Sequence, residues 1–93
     1  MFKGLNKKME PELLLAQLRA LFERAPDFNE YSPTSREHMT WLGQGHALIS
    51  RWNHLEASSF QSASDFLPME WARDQNVAKI FGIIQRAISD LEL

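Results

Sequence analysis

The feature that most constrains this chain is a central stretch, residues 32–67, in which apolar residues recur at helical spacing. Steps of three, four and seven positions place side chains on one face of an α-helix. No proline interrupts the stretch after Pro33. We therefore predict one long helix over residues 33–66, with a kink near Asn53 or Ser58 as the alternative. The larger apolar residues of the stretch are Trp41, Leu42, Leu48, Ile49, Trp52, Leu55, Phe60, Ala63, Phe66 and Leu67.

Two further helices are predicted, one on each side of the central one. Pro11 suits a first helical turn because it has no N–H to leave unpaired, and a later proline ends this helix near Arg24, which gives a short helix over residues 11–24. Residues 74–92 carry the strongest amphipathic pattern and start at Asp74, a favourable capping residue. The apolar stripes are Leu14, Leu18, Leu21 and Phe22 in the first helix and Val77, Ile80, Phe81, Ile84, Ala87, Ile88 and Leu91 in the last.

The segments between and before the helices are interpreted separately. Residues 1–8 are basic, contain few bulky apolar groups and are predicted to form a flexible arm. In the loop after the first helix, Phe28 and Tyr31 are expected to pin the chain to the core. The connection at residues 69–73 contains Trp71, a side chain too large to be left in water without a reason.

The last turn of the third predicted helix lacks a normal stop signal. Asp90 and Glu92 lie at the end where the helix dipole disfavours negative charge, and no glycine or proline follows them in the sequence. We therefore expect the chain to be the N-terminal part of a larger regulatory protein.

The lengths of the chain and of its central helix lead us to expect association with a second copy. The 93 residues make a single helical domain, residues 1–93, which buries a modest fraction of its surface when it folds alone. A central helix of about 45 Å, at 1.5 Å per residue, cannot be covered along its length by one much shorter neighbour. We predict an all-α hairpin or bundle of three main helices, short, long and amphipathic, that is completed by dimerisation.

Small residues in the central helix indicate where a second backbone approaches. A glycine inside a helix costs about 1 kcal/mol relative to alanine, yet the apolar period continues through Gly43 and Gly45 without a phase slip. Trp41 and Trp52 are separated by close to three helical turns and therefore share a face. We predict a homodimer in which the central helices cross, with the interface residues Trp41, Gly43, Gly45, Leu48, Trp52 and Leu55.

The titratable residues form no recognised catalytic or metal-binding pattern in the sequence. His38, His46 and His54 recur at a spacing that advances about 12 Å along a helix and turns away from the starting face, so no two of them can share an ion. The patterns His-Glu-x-x-His and Glu-x-x-His, which hold zinc and di-metal centres on helices, do not occur. We therefore predict a protein without catalytic residues, a metal site or a cofactor.

Charge and hydropathy limit the partners. A net charge of -2 argues against non-specific binding to nucleic acid, which requires a basic surface. No apolar run approaches the ~20 residues that a bilayer requires. The chain has no cysteine, and its basic start lacks the apolar segment of a secretory signal. We expect a cytoplasmic protein without a membrane span.

The function predicted from the sequence is a non-catalytic dimerisation or protein-docking module that associates with itself or with another protein. Two other classes remain open. A small nucleic-acid-binding helical protein would contact phosphate through Arg36 and Arg51, beside the aromatic rings of the same helix. An enzyme would assemble its site across a dimer from Glu37, His38, His54 and Glu56.

Overall fold

Four α-helices and no strand make up the described part of the chain. The computed structural model describes the backbone of residues 2–93 and the side chains of residues 11–93. The all-α class is confirmed, and the described residues contain four helices rather than the predicted three. The helices are α1 (Phe2–Glu23), α2 (Arg36–Trp52), α3 (His54–Asp65) and α4 (Glu70–Glu92), with a short 3₁₀ helix at Phe28–Glu30 between α1 and α2.

The first helix begins earlier than the sequence suggested. Its bounds run from Phe2 and place Pro11 inside it, rather than in its first turn. The arm predicted over residues 1–8 lies outside the residues whose side chains are described, so nothing in the structure bears on its side chains. From Pro11 onward the helix follows the predicted pattern, with Leu14, Leu18 and Leu21 buried.

The central stretch is two helices, and the prediction of one helix over residues 33–66 is wrong. Asn53 has an extended backbone, with φ and ψ of -159° and 118°, and it lies between the end of α2 and the start of α3. Its side-chain oxygen accepts the backbone N–H groups of Leu55 at 2.9 Å and of Glu56 at 3.1 Å. These bonds satisfy donors that the first turn of a helix otherwise leaves unpaired.

The break at Asn53 lets α3 fold back along α2. Gly45 of α2 faces the ring of Phe60 in α3, and the two helices pack along their lengths. The long helix that motivated the predicted dimer is therefore covered by a neighbour from its own chain.

The four helices run up, down, up and down around one core. Helix α1 packs against α2 and α4, helix α3 packs against the same two, and α2 and α4 meet across the centre. The side-chain pairs that fix the directions are Arg19–Glu92 and Phe22–Phe81 for α1 and α4, Glu56–Arg86 for α3 and α4, and Trp41–Phe81 and Trp52–Asp90 for α2 and α4.

The core is built from the apolar stripes of all four helices. Each fully buried aliphatic side chain contributes about 1.5–3 kcal/mol relative to leaving it in water. The stripe predicted for the last helix is confirmed as a core face, because every one of its members is buried or packs against buried residues. The largest fully buried side chains are Leu18, Leu21, Ile49, Phe60, Leu67, Ile80, Ile83 and Ile84.

Helix α4 starts one turn before the predicted Asp74. A tight turn follows α3, in which the Met69 N–H donates to the carbonyl of Phe66 at 3.0 Å. Glu70 then opens α4, at the end of the helix where the dipole favours a carboxylate. Most of the predicted connection at residues 69–73 is therefore the first turn of α4, and Trp71 lies on that helix.

Gly43 and Gly45 provide a matched test of this packing. A Cβ placed on Gly45 lies 2.6 Å from Cζ of Phe60, whereas one placed on Gly43 meets nothing within 4 Å. Phe60 is fully buried, so its ring cannot move without displacing its neighbours. We expect Gly45→Ala to lower the free energy of unfolding by about 1–2 kcal/mol through overpacking, and Gly43→Ala to raise it by up to about 1 kcal/mol through helix propensity. Urea denaturation checks the two signs, and shifts in the same direction would contradict the packing described.

Asn53 provides a second test. Asn53→Ala removes the cap of α3 and is expected to lower the free energy of unfolding by about 1 kcal/mol, whereas Asn53→Asp keeps an acceptor at the same place and loses much less. The measurement is thermal unfolding followed by circular dichroism. Equal losses in the two variants would show that the capping bonds do not hold the break.

Candidate interaction surface at the α3–α4 turn

Large apolar side chains cluster on the surface of the segment that joins α3 and α4. Phe66, Met69 and Trp71 are 47%, 46% and 79% exposed, and they lie within six consecutive positions. Single exposed apolar residues are ordinary, but contiguous ones mark interaction sites, and phenylalanine, methionine and tryptophan are enriched in protein interfaces. We refer to Phe66, Met69 and Trp71 as the apolar turn.

The backbone beneath the apolar turn is held in place from two sides. Leu67 is fully buried between the exposed residues and anchors the turn in the core. The Nε–H of Arg73 donates to the carbonyl of Leu67 at 2.8 Å, which ties the first turn of α4 back to the loop. The Ala72 N–H donates to the Met69 carbonyl at 3.0 Å. The exposed side chains therefore project from a fixed backbone.

Negative charge surrounds the apolar turn. Asp65, Glu70 and Asp74 are exposed, and neither Glu70 nor Asp74 forms an ion pair within residues 11–93. Arg73 is the only cation between positions 65 and 74. Its guanidinium lies 5.2 Å from the centroid of the Tyr31 ring while its Nε–H bonds a carbonyl, so this charge is already engaged. The surface of the turn is thus apolar with a carboxylate rim.

A cleft of about 330 Å³ lies beside the apolar turn, between the 3₁₀ helix and α4. Phe28, Val77 and Phe81 give it apolar walls, and Asp27 and Asp74 are also among its lining residues. Asp74 follows Trp71 by three positions, so the two share one face of α4. We refer to this feature as the α4 cleft. The α4 cleft is therefore next to the apolar turn at Trp71, the residue of the turn that lies on α4.

An aromatic cluster fixes the loop that forms one wall of the α4 cleft. Phe28 is buried, which confirms that it pins this loop to the core. Its ring centroid lies 6.2 Å from that of Tyr31, 5.5 Å from that of Trp41 and 6.0 Å from that of Phe81. Trp41 also donates its indole N–H to the carbonyl of Leu21 at 2.8 Å. The loop is therefore packed against α2 and α4 at once, and Trp41 links this packing to α1.

His38 links the same loop to the start of α2. Its side chain is 3% exposed, with Nε2 3.0 Å from the carbonyl oxygen of Asp27 and Nδ1 2.8 Å from Oγ of Ser35. Because a carbonyl only accepts, Nε2 donates to Asp27, and in the neutral ring Nδ1 then accepts from the Ser35 hydroxyl. Ser35 also caps α2 by accepting the His38 backbone N–H. His38 is thus a structural residue, a role that its spacing in the sequence did not indicate.

Two residues predicted for a dimer interface lie inside the chain's own core. Trp41 is 3% exposed and belongs to the aromatic cluster. Gly45 is buried, and the close approach that its missing side chain permits is made by Phe60 of the same chain. The packing expected between two copies is therefore made within one chain, by α3 at Gly45 and by the aromatic cluster at Trp41.

The other four predicted interface residues have different surroundings. Leu48 and Trp52 are partly buried against the core, and the Trp52 indole N–H donates to the Asp90 carboxylate at 2.7 Å. Gly43 is exposed, and Leu55 is 81% exposed at the first turn of α3. Leu55 lies at the end of the bundle opposite the apolar turn, so the predicted residues do not form one surface.

The groups considered for an enzyme or a nucleic-acid site are also spread over the chain. Glu37 and His38 lie in the first turn of α2, whereas His54 and Glu56 follow its last turn, about 25 Å away along a helix of 17 residues. Glu56 pairs with Arg86 at 2.8 Å. Within residues 11–93, no three potential metal ligands gather at one place. Of the aromatic rings that share this helix with Arg36 and Arg51, Trp41 is buried and Trp52 is partly buried.

Comparison with known proteins identifies no relative. No protein-family model matches the chain, and no curated protein or solved structure shows significant similarity to it. Among the described helices, none is both long enough and apolar enough to cross a membrane. Any functional assignment therefore depends on the surfaces described above.

The electrostatic setting of Tyr31 yields a testable prediction. Burial raises the pKa of its phenol above the ordinary value, and the Arg73 cation opposes part of that rise. The neutral phenol is therefore favoured in the folded state, so this contribution to stability is complete below pH about 10 and is lost as the pH rises through the folded-state pKa. Tyr31 is the only tyrosine, so ultraviolet titration reports it alone. We expect a midpoint above that of the urea-unfolded chain, and a further rise in Arg73→Gln. A lower midpoint in that variant would contradict the Arg73–Tyr31 contact.

Proposed function

We propose that this chain is a non-catalytic helical module that docks onto another protein through the apolar turn. The observation that carries the proposal is the 79% exposure of Trp71 beside two further half-exposed apolar side chains. Tryptophan is the residue type most enriched among interface positions whose truncation costs about 2 kcal/mol or more. In the isolated chain these side chains remain in water, so burying them against a partner stabilises the complex.

The fixed backbone of the turn supports the same proposal. Association costs free energy when it must order a loop, and a surface that is already ordered avoids much of that cost. Here Leu67 anchors the turn from below, and Arg73 bonds its carbonyl from the side. The backbone of the apolar turn is thus held in place before any partner arrives.

Docking onto a different protein is better supported than self-association. The homodimer predicted from the sequence depended on a long uncovered helix, and that helix instead folds back at Asn53. A symmetric dimer formed through the apolar turn would bring the same patch of both copies together. It would then place Asp65, Glu70 and Asp74 opposite like charges, which opposes association.

Site-specific crosslinking tests the proposal. A photoreactive phenylalanine analogue placed at Trp71 is compared with the same analogue at Leu55, which is exposed to a similar extent at the opposite end of the bundle. In cells of the native host we expect a discrete adduct with another protein from position 71 and none from position 55. An adduct of twice the chain's mass would support the dimer instead. Adducts that are absent from position 71, or equal at both positions, would contradict the proposal.

The identified partner then allows an affinity measurement. Because Trp71 is mostly exposed, Trp71→Ala is expected to change the free energy of unfolding by no more than about 0.5 kcal/mol. The same substitution should weaken partner binding by about 30-fold, which corresponds to a loss of about 2 kcal/mol. Leu55→Ala is the matched control and should leave the dissociation constant unchanged. If the Trp71→Ala variant and the unmodified chain bind the partner with equal affinity, the apolar turn is not part of the interface.

A further inference from the structure

We propose that the α4 cleft binds an arginine or lysine side chain of the partner, from a basic amphipathic segment whose apolar residues cover the apolar turn. This inference depends on the proposed docking function and adds the chemical class of the partner. It follows from the lining of the cleft, from its position on α4 and from the charges that surround it.

The lining of the α4 cleft matches the two parts of a long cationic side chain. Phe28, Val77 and Phe81 supply apolar walls for the aliphatic stem, which such side chains commonly bury while their charged ends stay near polar groups. Asp27 and Asp74 supply carboxylates for the charged end, with which a guanidinium forms strong hydrogen bonds. The described residues that line the cleft include no cation.

Both carboxylates retain the capacity to accept a further hydrogen bond. Asp27 uses Oδ1 to accept the backbone N–H of Asn29 at 2.9 Å, which leaves Oδ2 for a ligand. Asp74 is exposed and forms no ion pair within residues 11–93. The nearest lysine along α4, Lys79, is five positions beyond Asp74, a rotation of about 140° that directs it to another face of the helix.

The positions of Trp71 and Asp74 set the spacing that the partner must match. Three residues along α4 advance about 4.5 Å, close to one helical turn. A partner segment with an apolar residue over Trp71 therefore needs its cationic residue about one turn away to reach Asp74. An amphipathic helix with basic residues beside its apolar stripe has this arrangement.

The same charges disfavour the other occupants of an apolar surface. An anionic membrane surface attracts cationic segments, whereas this surface carries Asp65, Glu70 and Asp74 around its apolar side chains. A second copy joined by two-fold symmetry would oppose carboxylate to carboxylate. A basic partner gains attraction from each of these groups.

Three synthetic helical peptides with identical apolar positions test the inference on the whole chain. They carry arginine, citrulline or glutamate beside the apolar stripe; citrulline has the shape of arginine without its charge. Nuclear magnetic resonance titration should show the arginine peptide shifting the backbone amide signals of residues 27–29, 66–67 and 69–81. We expect it to bind about tenfold more tightly than the citrulline peptide at low salt, with the difference shrinking as salt is added. The glutamate peptide should bind most weakly.

Charge-removing variants locate the cationic side chain. Asp74→Asn and Asp27→Asn keep the side-chain shape, and asparagine at position 27 still caps the 3₁₀ helix. Each variant should bind the arginine peptide about five- to tenfold more weakly and bind the citrulline peptide with unchanged affinity. Glu12→Gln, which removes an exposed carboxylate of α1, is the matched control and should change neither affinity. Circular dichroism melting of each variant verifies that the fold is retained.

The outcomes separate this inference from the function on which it depends. If the arginine and citrulline peptides bind equally while Trp71→Ala weakens both, docking through the apolar turn stands and the cationic site is wrong. If no peptide shifts the amide signals of residues 27–29, 66–67 or 69–81, the cationic site is also wrong, and crosslinking from position 71 decides the docking function. If Asp74→Asn and Glu12→Gln weaken binding of the arginine peptide equally, the charge dependence is a long-range effect of net charge. That result would overturn the site.

Discussion

The reversal of the backbone at Asn53 decides which helix faces meet. One extended residue ends α2, and its side chain accepts the first free N–H groups of α3, so the reversal leaves few unpaired donors. Without it, the apolar face of residues 36–65 would extend as a rod beyond the reach of α1 and α4. Because of the reversal, Phe60 packs against Gly45, and the apolar faces of α2 and α3 both contribute to one core.

The features that a local pattern decides agree with the structure, whereas the features that depend on distant residues meeting do not. The stripes of the first and last helices are core faces because helical periodicity alone decides which side of a single helix is apolar. The break at Asn53 leaves the spacing of apolar residues nearly unchanged, so periodicity could not separate one helix from two. A signal was present, since Asn53 followed three positions later by Glu56 resembles a capping box.

The prediction of Trp41 and Trp52 as interface residues depended on the same continuous helix. Trp41 and Trp52 share a face of one continuous helix, and the structure covers that face with the chain's own α3, α4 and 3₁₀ helix. Trp71 was assigned to a connection because α4 was predicted to start at Asp74 rather than at Glu70. Because of this difference of one turn, the sequence did not predict that Trp71 and Asp74 share a face of the same helix.

The proposed contact surface and the core are joined through shared residues. Phe28 and Phe81 pack in the aromatic cluster and also form walls of the α4 cleft. The backbone carbonyl of Asp27 accepts a hydrogen bond from Nε2 of buried His38. The other ring nitrogen of His38 contacts Ser35, the cap of α2. A ligand in the cleft would contact groups already ordered by the fold, so little conformational entropy remains to be lost there. The packing that buries Trp41 is therefore the same packing that orders the surface beside Trp71.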